Sequence, residues 1–446
     1  MLIVVLGAGE IGSYVASRLT SEGHDVVVVD HDRHELQHVD RSLDVMTVLG
    51  HAGSPAVLAE AQVQRADVLA ALTDHDEVNL VACLLARQAG VARTLARLQS
   101  SELRGPAGEA VRDAMGVDTV LDPEAETADE VFHLLRFRGA SDVAELAEGR
   151  LLLLGARLVA GSPLVGRPVT EIVGPGAPSD LVLGTYTRSG HTSIVHGSTV
   201  LEENDLVRAV CREESRQELM ELLGVVAKRP RRVMLLGGGR VAELLAARLT
   251  GAGTEVTIVD RDIDRCRHLS EVLPGVLVLH GDVTHVDVLV EEEVGSYDSV
   301  VALTSEDDAN ILSCLFARTE GAEETIGLVH RLSLLGLMDE VGVDAVLSPR
   351  TASANAVLRH IRSGVRNVVT FLEGEAEVIE LEVAPGSDVA DRRLENVRLP
   401  RSMLVAAMIR GDTVEMAHGP TALSPGDRVI AFTLPRAVSE IRRAFG

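Results

Sequence analysis

The chain opens on five apolar residues, Leu2–Leu6, with no polar position to face solvent, the pattern of a strand covered on both sides. Gly7-Ala8-Gly9-Glu10-Ile11-Gly12 follows at once. Apolar positions at helical spacing then run from Ile11 to about Leu19, and Val26–Val29 forms a second buried strand that ends in Asp30. Strand, glycine turn, helix, strand and acid in this order predict a nucleotide-binding βαβ unit. Gly7 permits the tight turn, Gly9 lets a pyrophosphate approach the backbone, and Gly12 lets the helix pack on the strand. The helix N-terminus presents free N–H groups to the phosphates, and Asp30 stands where a carboxylate accepts from the ribose hydroxyls.

The pattern returns at a constant offset. Arg232–Leu236 restates the first strand, and Gly237-Gly238-Gly239-Arg240-Val241-Ala242 restates the turn with Ala242 for the third glycine. Val256–Val259 and Asp260 restate the second strand and its acid. The segment from Ala71 to Asn79 reappears from Ala302 to Asn310, Cys83 and Cys314 match in the helices that follow, and Gly116–Pro123 returns as Gly342–Pro349. A repeat this long is a duplicated domain, not a solenoid period.

Between these units the texture changes. From about Val143 to Arg212 short apolar runs are broken by Gly, Pro, Ser and Asp, as in a small β-rich unit. Turns are expected at Arg188-Ser189-Gly190-His191 and Glu203-Asn204-Asp205, with a closing helix over Ser215–Leu223. The same texture recurs after Thr370, with turns at Arg410-Gly411-Asp412 and Pro425-Gly426-Asp427 and a closing helix over Ala437–Phe445. The expected fold is α/β: two Rossmann-like parallel-sheet domains alternate with two small α+β domains, in the order N-C-N-C. The expected boundaries are 1–142, 143–228, 229–367 and 368–446, with Ala227–Arg231 as the linker between halves.

Composition narrows the partners. The chain has 446 residues, and length alone suggests about three domains. With 46% hydrophobic but only 2% aromatic residues, cores must be built from Val, Leu, Ala and Ile, which suits parallel sheets covered by helices. A formal net charge of −25 argues against a nucleic-acid partner. Cys83, Cys211, Cys266 and Cys314 form no CxxC pair and no metal-ligand spacing, so reduced thiols and no metal site are expected. No stretch approaches the roughly 18 apolar residues of a spanning helix. The longest candidate, Leu151–Leu154, is broken by Gly155 and Arg157, and the N-terminus is the first strand itself rather than a signal peptide. A soluble cytoplasmic protein is expected.

Polar groups fall at strand carboxyl ends, where an open α/β sheet binds its ligand. His51 follows the strand from Asp44 to Leu49, on the side of the base. Thr73 and Asp74 follow Val68–Leu72, with Thr73 on the nicotinamide-proximal or phosphate side. Thr73 and Asp74 read equally as a helix N-cap, with Glu77 completing a capping box. Arg97 lies in Thr94–Leu98, at the expected edge of the fourth strand. It is costly there unless a phosphate or a carboxylate pairs it. The second half has Leu328 for Arg97, Asp282 for His51 and Ala242 for Gly12. The two sites are therefore expected to be unequal, the first being better equipped for a charged phosphate tail. No catalytic residue is expected: His191, His196 and His418 lack neighbouring ligands, and the sole lysine, Lys228, lies in the linker. Duplicated binding domains without a catalytic domain fit a device that changes shape with its ligand; an NAD-dependent oxidoreductase is the alternative.

In the turn Gly7–Gly12, the segment Thr73-Asp74-His75-Asp76-Glu77-Val78-Asn79 and the duplicated layout, the chain resembles the TrkA-type family of Trk potassium-uptake proteins. These are cytosolic subunits built from two RCK (regulator of conductance of potassium) halves, and the resemblance covers essentially the whole chain. It implies a gating ring on the cytoplasmic face of a separate membrane potassium channel or transporter of the Trk or Ktr type. It also implies a homo-oligomer, a tetramer of two-RCK chains, that binds NAD(H) and also ATP or ADP. By the resemblance, Gly7, Ala8, Gly9, Glu10 and Ile11 hold the pyrophosphate and Asp30 the ribose, while Thr73, Asp74 and Arg97 complete the first pocket. Gly237, Gly238, Gly239, Arg240, Val241, Asp260, Asp282 and Thr304 form the second. Glu124 matches a position that reaches a neighbouring subunit's nucleotide or its metal, and Arg350 is its counterpart. His51 departs from the acid often found at its place. Helices after the sheet, such as Glu126–Arg136, would pair the N-domains. A regulator of another cation transporter is a further alternative that the resemblance leaves open.

Overall fold

The computed structural model describes residues 1–172, 180–331, 334, 342–361, 365–370, 376–434, 441 and 444–445. It forms two compact units, Met1–Pro123 with Ala352–Ser363, and Glu124–Thr351 with Gly364–Gly446.

The first unit is built on six parallel strands: β1 (Leu2–Leu6), β2 (Asp25–Asp30), β3 (Met46–Leu49), β4 (Val68–Ala71), β5 (Arg93–Arg97) and β6 (Thr119–Leu121). They lie in the order β3-β2-β1-β4-β5-β6, the doubly wound arrangement whose direction reverses beside β1. β1 explains its own sequence: Ile3 and Val5 enter the core on one face of the sheet, Val4 and Leu6 the core on the other. Ile3–Leu6 are wholly buried, so nothing along them is polar. β5 lies between β4 and β6, so Arg97 ends an interior fifth strand rather than the edge of a fourth.

The face that buries Ile3, Val5 and Val28 is completed by Ala356, Val357, Leu358 and Ile361, from the helix Pro349–Ile361. That helix follows the last strand of the second parallel sheet. The converse holds in the second unit. There Ala128, Val131 and Leu134, from the helix Pro123–Leu134 that follows β6, pack with Val233, Leu245 and Ile326. Arg248 adds an ion pair to Asp129 at 2.8 Å. Each parallel sheet is thus covered by the final helix of the other half.

The second unit holds the other three large sheets. β7 (Ala140–Leu146), β8 (Leu151–Arg157), β9 (Leu181–Arg188), β10 (His191–Ile194) and β11 (Leu206–Arg212) form an antiparallel sheet in the order β10-β9-β11-β8-β7. β12 (Arg232–Leu236), β13 (Glu255–Asp260), β14 (Leu277–His280), β15 (Ser299–Ala302), β16 (Glu324–Leu328) and β17 (Ala345–Leu347) repeat the parallel sheet strand for strand. The last group comprises β18 (Val365–Thr370), β19 (Glu377–Glu382), β20 (Arg392–Arg393), β21 (Met403–Arg410), β22 (Thr413–Met416), β23 (Ala422–Leu423) and β24 (Arg428–Thr433). Within it β18-β19-β24-β21-β22 copies the first antiparallel sheet, and β20 pairs with β23.

The two antiparallel sheets pack face to face. Leu151, Leu153 and Val210 share a core with Ala407, Ile430 and Phe432, while Leu152, Leu154 and Ala209 face the helix Arg216–Leu223. The run Leu151–Leu154 is therefore a strand buried on both faces. Phe432 lies directly over Gly184, where a Cβ would fall on its ring. The expected turns recur as paired forks: Arg188 grips Asp205 through Nε and Nη2 at 2.8 and 2.7 Å, and Arg410 grips Asp427 at 2.8 and 2.6 Å. Most of the expected closing helix Ala437–Phe445 lies outside the described residues, of which Ile441 and Phe445 are buried. Among the described residues no helix is long and apolar enough to cross a membrane.

Phe432→Ala is expected to cost about 3–5 kcal/mol, measured by urea unfolding, because the cavity opens between two rigid sheets. Gly184→Val is expected to be of similar severity, since its methyl groups fall on the ring.

Candidate functional site

At the carboxyl end of β1 the chain must turn in very little space. Gly7 and Gly237 both take φ near +101°, a left-handed conformation that glycine adopts without steric cost. Their N–H groups donate to Val29 and Val259, each at 2.8 Å, which joins the turn to β2 and β13. A Cβ on Gly12 would fall on the carbonyl of Gly7, whereas Ala242 is accommodated and wholly buried in the second half. Gly9 and Gly239 differ from these: a Cβ on either would meet nothing within 4 Å. The helices Glu10–Ser21 and Arg240–Gly251 start there without a side-chain cap, so their first-turn N–H groups border open space. Such a space beside the glycine, lined by N–H donors, fits a diphosphate.

The acid after each second strand holds this turn in place. Asp30 accepts from the Ala8 N–H through Oδ2 at 2.6 Å and from the Asp32 N–H through Oδ1 at 2.8 Å. Asp260 does the same for Gly238 at 2.5 Å and Asp262 at 2.7 Å. A carboxylate offers about four acceptor directions, so each acid retains capacity for ribose hydroxyls.

A second device sits at the ends of β4 and β15. The fully buried Asn79 accepts from the Thr73 N–H and hydroxyl at 3.2 and 2.6 Å, and donates to the carbonyls of Thr73 and Arg97 at 2.9 and 2.8 Å. Asn310 repeats all four contacts on Thr304 and Leu328. One side chain thus links two adjacent strand ends and fixes the threonine. The expected capping box does not form: the helix Asp76–Gln88 starts at His75 without a side-chain cap, because the Thr73 hydroxyl is engaged by Asn79.

Asp76 reaches instead to the Gln99 and Ser100 N–H groups, both at 2.8 Å. Asp307 accepts likewise from His330 and Arg331 at 2.8 and 2.9 Å. Burial alone would raise the Asp307 carboxyl, but these donors and the two side chains hold it down at about 2.

The other expected residues are less closely gathered. Asp74 is exposed, 3.6 Å from the His75 ring. Arg97 is half-buried at the end of β5. Exposed His51 accepts from the Gly53 N–H at 3.1 Å through Nδ1, and Asp282 accepts from the Thr284 N–H at 2.9 Å, so imidazole and carboxylate support the same loop. The Thr284 hydroxyl and N–H lower the Asp282 carboxyl. Glu124 belongs to the second unit, at the start of the helix Pro123–Leu134. Cys83 and Cys314, deep beneath the sites, are pushed up to about 12 by burial. Among the described residues no cluster of three or more His, Cys, Asp or Glu could hold a metal.

Sequence reasoning assigned no role to Asn79, Asn310, Asp76 or Asp307, although their recurrence at one offset was a visible signal. It also passed over Arg265, whose Nε donates to the Gly238 carbonyl at 2.6 Å and whose Nη2 meets Glu243 at 2.6 Å. The Arg97–Leu328 difference alone therefore does not decide how the two sites compare in charge.

Residues 3–123 and 233–349 match the TrkA-N domain, and residues 378–446 match the TrkA-C domain. The chain is 33% identical to the Trk system potassium uptake protein TrkA of Haemophilus influenzae, covering 100% of this chain and 98% of that one. It is 30% identical to a TrkA homolog of Archaeoglobus fulgidus, with both chains covered in full. Among solved structures it shares its fold with the GsuK RCK domain, at a TM-score of 0.61 and 20% identity over 99% of this chain and 94% of that one. The GsuK channel bound to NAD gives the same score and identity over 99% and 78%.

Asn79→Ala and Asn310→Ala are each expected to cost about 1–3 kcal/mol in thermal unfolding, because each strands the buried polar groups it satisfied. Asp307 has a folded value below its ordinary 3.8, so its contribution to stability is complete above that value and is lost as pH falls towards about 2. Asp307→Asn should flatten that part of an acid-unfolding curve.

Proposed function

The chain belongs to the TrkA family of potassium-uptake proteins, and on that footing we propose that it is a nucleotide-binding regulatory subunit of a potassium-uptake system. The observation that carries the reading is the site built twice. A side-chain-free glycine turn, a helix N-terminus, an acid and a clamped threonine meet at the switch point of each parallel sheet. The ligands are NAD(H) and ATP or ADP. Gly7–Ile11 and Gly237–Val241 hold the phosphates through their N–H groups, and Asp30 and Asp260 hold the ribose. Thr73, Asp74 and Arg97 line the first site, Thr304 and Asp282 the second, and His51 stands beside the base. Glu124 reaches a nucleotide of a neighbouring subunit.

What these residues do is bind and discriminate. The acid already bonded to the turn shares its oxygens with the ribose, so ligand occupancy is felt at the turn, at β2 and at the helix behind it. Nucleotides that contact two arrangements unequally shift the population between them, and only that difference in affinity is available to drive the shift. The subunit acts from the cytoplasmic face as a homotetrameric ring, peripheral to the membrane through a Trk- or Ktr-type potassium-translocating partner.

Calorimetric titration of the whole chain with NADH, NAD, ATP and ADP tests this reading. Two binding events are expected, one abolished by Asp30→Ala and the other by Asp260→Ala, with no oxidation of NADH. Reconstituted with its transporter in vesicles, the protein should make potassium flux depend on the nucleotide. Absence of binding at both sites would overturn the reading, turnover of NADH would favour an oxidoreductase, and a stable monomer at micromolar concentration would rule out the ring.

A further inference from the structure

The most concentrated positive charge in the sequence lies outside both sites, between the helix Arg216–Leu223 and β12. Lys228, Arg229, Arg231 and Arg232 stand within five consecutive residues, and no other five residues carry four cations. The chain around them has a formal net charge of −25. A connector needs neither such a charge nor a fixed shape, yet this one has both.

Its backbone is pinned at alternate residues. Val226 exchanges two hydrogen bonds with Arg138, each at 2.9 Å. Lys228 bridges Glu323 and Asp298 at 3.0 and 3.4 Å. Pro230 is buried, and its carbonyl accepts from the Thr254 hydroxyl at 3.1 Å. Asp298 accepts from the Arg231 and Arg232 N–H groups at 2.7 and 3.0 Å, and the Arg232 guanidinium lies 4.4 Å from the centre of the Tyr297 ring. Proline fixes its own φ and restricts Arg229 before it. Arg229 and Arg231 are left exposed, and among the described residues neither guanidinium has an ion-pair partner. Apolar surface adjoins them: Val226 is 54% exposed and Val159, which borders Gly224, is 62% exposed.

We propose that this strip docks an acidic segment of the membrane partner, with carboxylates on Arg229 and Arg231 and an aliphatic side chain on Val226 and Val159. The inference rests on the reading of the chain as a regulatory subunit. A backbone held in advance lowers the ordering cost of binding, and arginine forks onto carboxylates with charge-assisted bonds. The acidic remainder of the chain repels such a segment, so charge directs it here. A flat anionic lipid surface fits less well. It would bear on Glu255, 81% exposed and 3.9 Å from Arg232, and on Glu323 beside Lys228, whereas a single segment can follow the strip alone. β12 runs from this strip straight into the Gly237 turn, so partner and nucleotide meet opposite ends of one short strand.

The test compares the full chain with Arg229→Glu/Arg231→Glu, two exposed positions outside the nucleotide sites. The probe is a synthetic peptide of alternating glutamate and leucine, titrated by calorimetry. Wild type is expected to bind it, and the double variant to lose about tenfold or more in affinity. The variant should instead bind a peptide of alternating lysine and leucine, a gain that a merely structural role would not give. Val226→Ser leaves the arginines in place and is expected to weaken the glutamate peptide several-fold. With the transporter in vesicles of neutral lipid, wild type should sediment with them and the double variant should not, while both bind NADH and ATP equally. The proposal is overturned if the glutamate peptide does not bind wild type, if the double variant still associates with the transporter, or if that variant loses nucleotide binding as well. Sedimentation of wild type, but not the variant, with phosphatidylglycerol vesicles lacking the transporter also overturns it, since the strip then meets lipid. Transporter association without nucleotide-dependent flux would support the docking and overturn the regulatory reading.

Discussion

A single carboxylate contact sets the shape of each site. Asp30 and Asp260 lie at the ends of second strands, yet their oxygens are bonded to the turns that leave the first strands. At its three glycines the turn has no side chain with which to stabilise itself, and a Cβ on Gly12 would collide with the Gly7 carbonyl. Its conformation must therefore be held from outside. The acid does this from one side and Asn79 or Asn310 fixes the adjoining strand end from the other. The same carboxylate keeps free acceptor directions, so under the proposed function the residue that preorganises the loop is also the one that meets the ribose.

Duplication kept this mechanical part and altered its surroundings. The acids, the asparagines, the glycine φ values and the Arg–Asp forks of the small domains recur almost contact for contact. Side chains that support no backbone group were free to diverge. His51 and Asp282 mark the boundary between the two classes: the loop requires an acceptor at that position, and either chemistry supplies it.

Much of the fold was legible because burial on both faces leaves uninterrupted apolar runs, as in Leu2–Leu6 and Leu151–Leu154. The glycine turns were legible because their steric demands admit few residues. Other features were hidden for identifiable reasons. β6 has only three residues, too few for a strand signal, and without it β5 reads as an edge. Asn79 sits within a helical pattern, where asparagine is merely a weak helix former, and only the pairing of β4 with β5 shows what it spans. The apolar stripe Ala128, Val131, Leu134 announces a buried face without naming the sheet it covers.

That exchange of covering helices governs how the protein can come into being. The first sheet is synthesised early, but the helix residues Ala356 to Ile361 that close one of its faces emerge from the ribosome only after most of the chain. Until then Ile3, Val5 and Val28 are covered on that side by Val15, Leu19, Leu36 and Val39 from their own half, and part of the face stays open. The cover is completed only once the second half has been made, so the last step in folding the first sheet waits on a segment more than two hundred residues away in sequence.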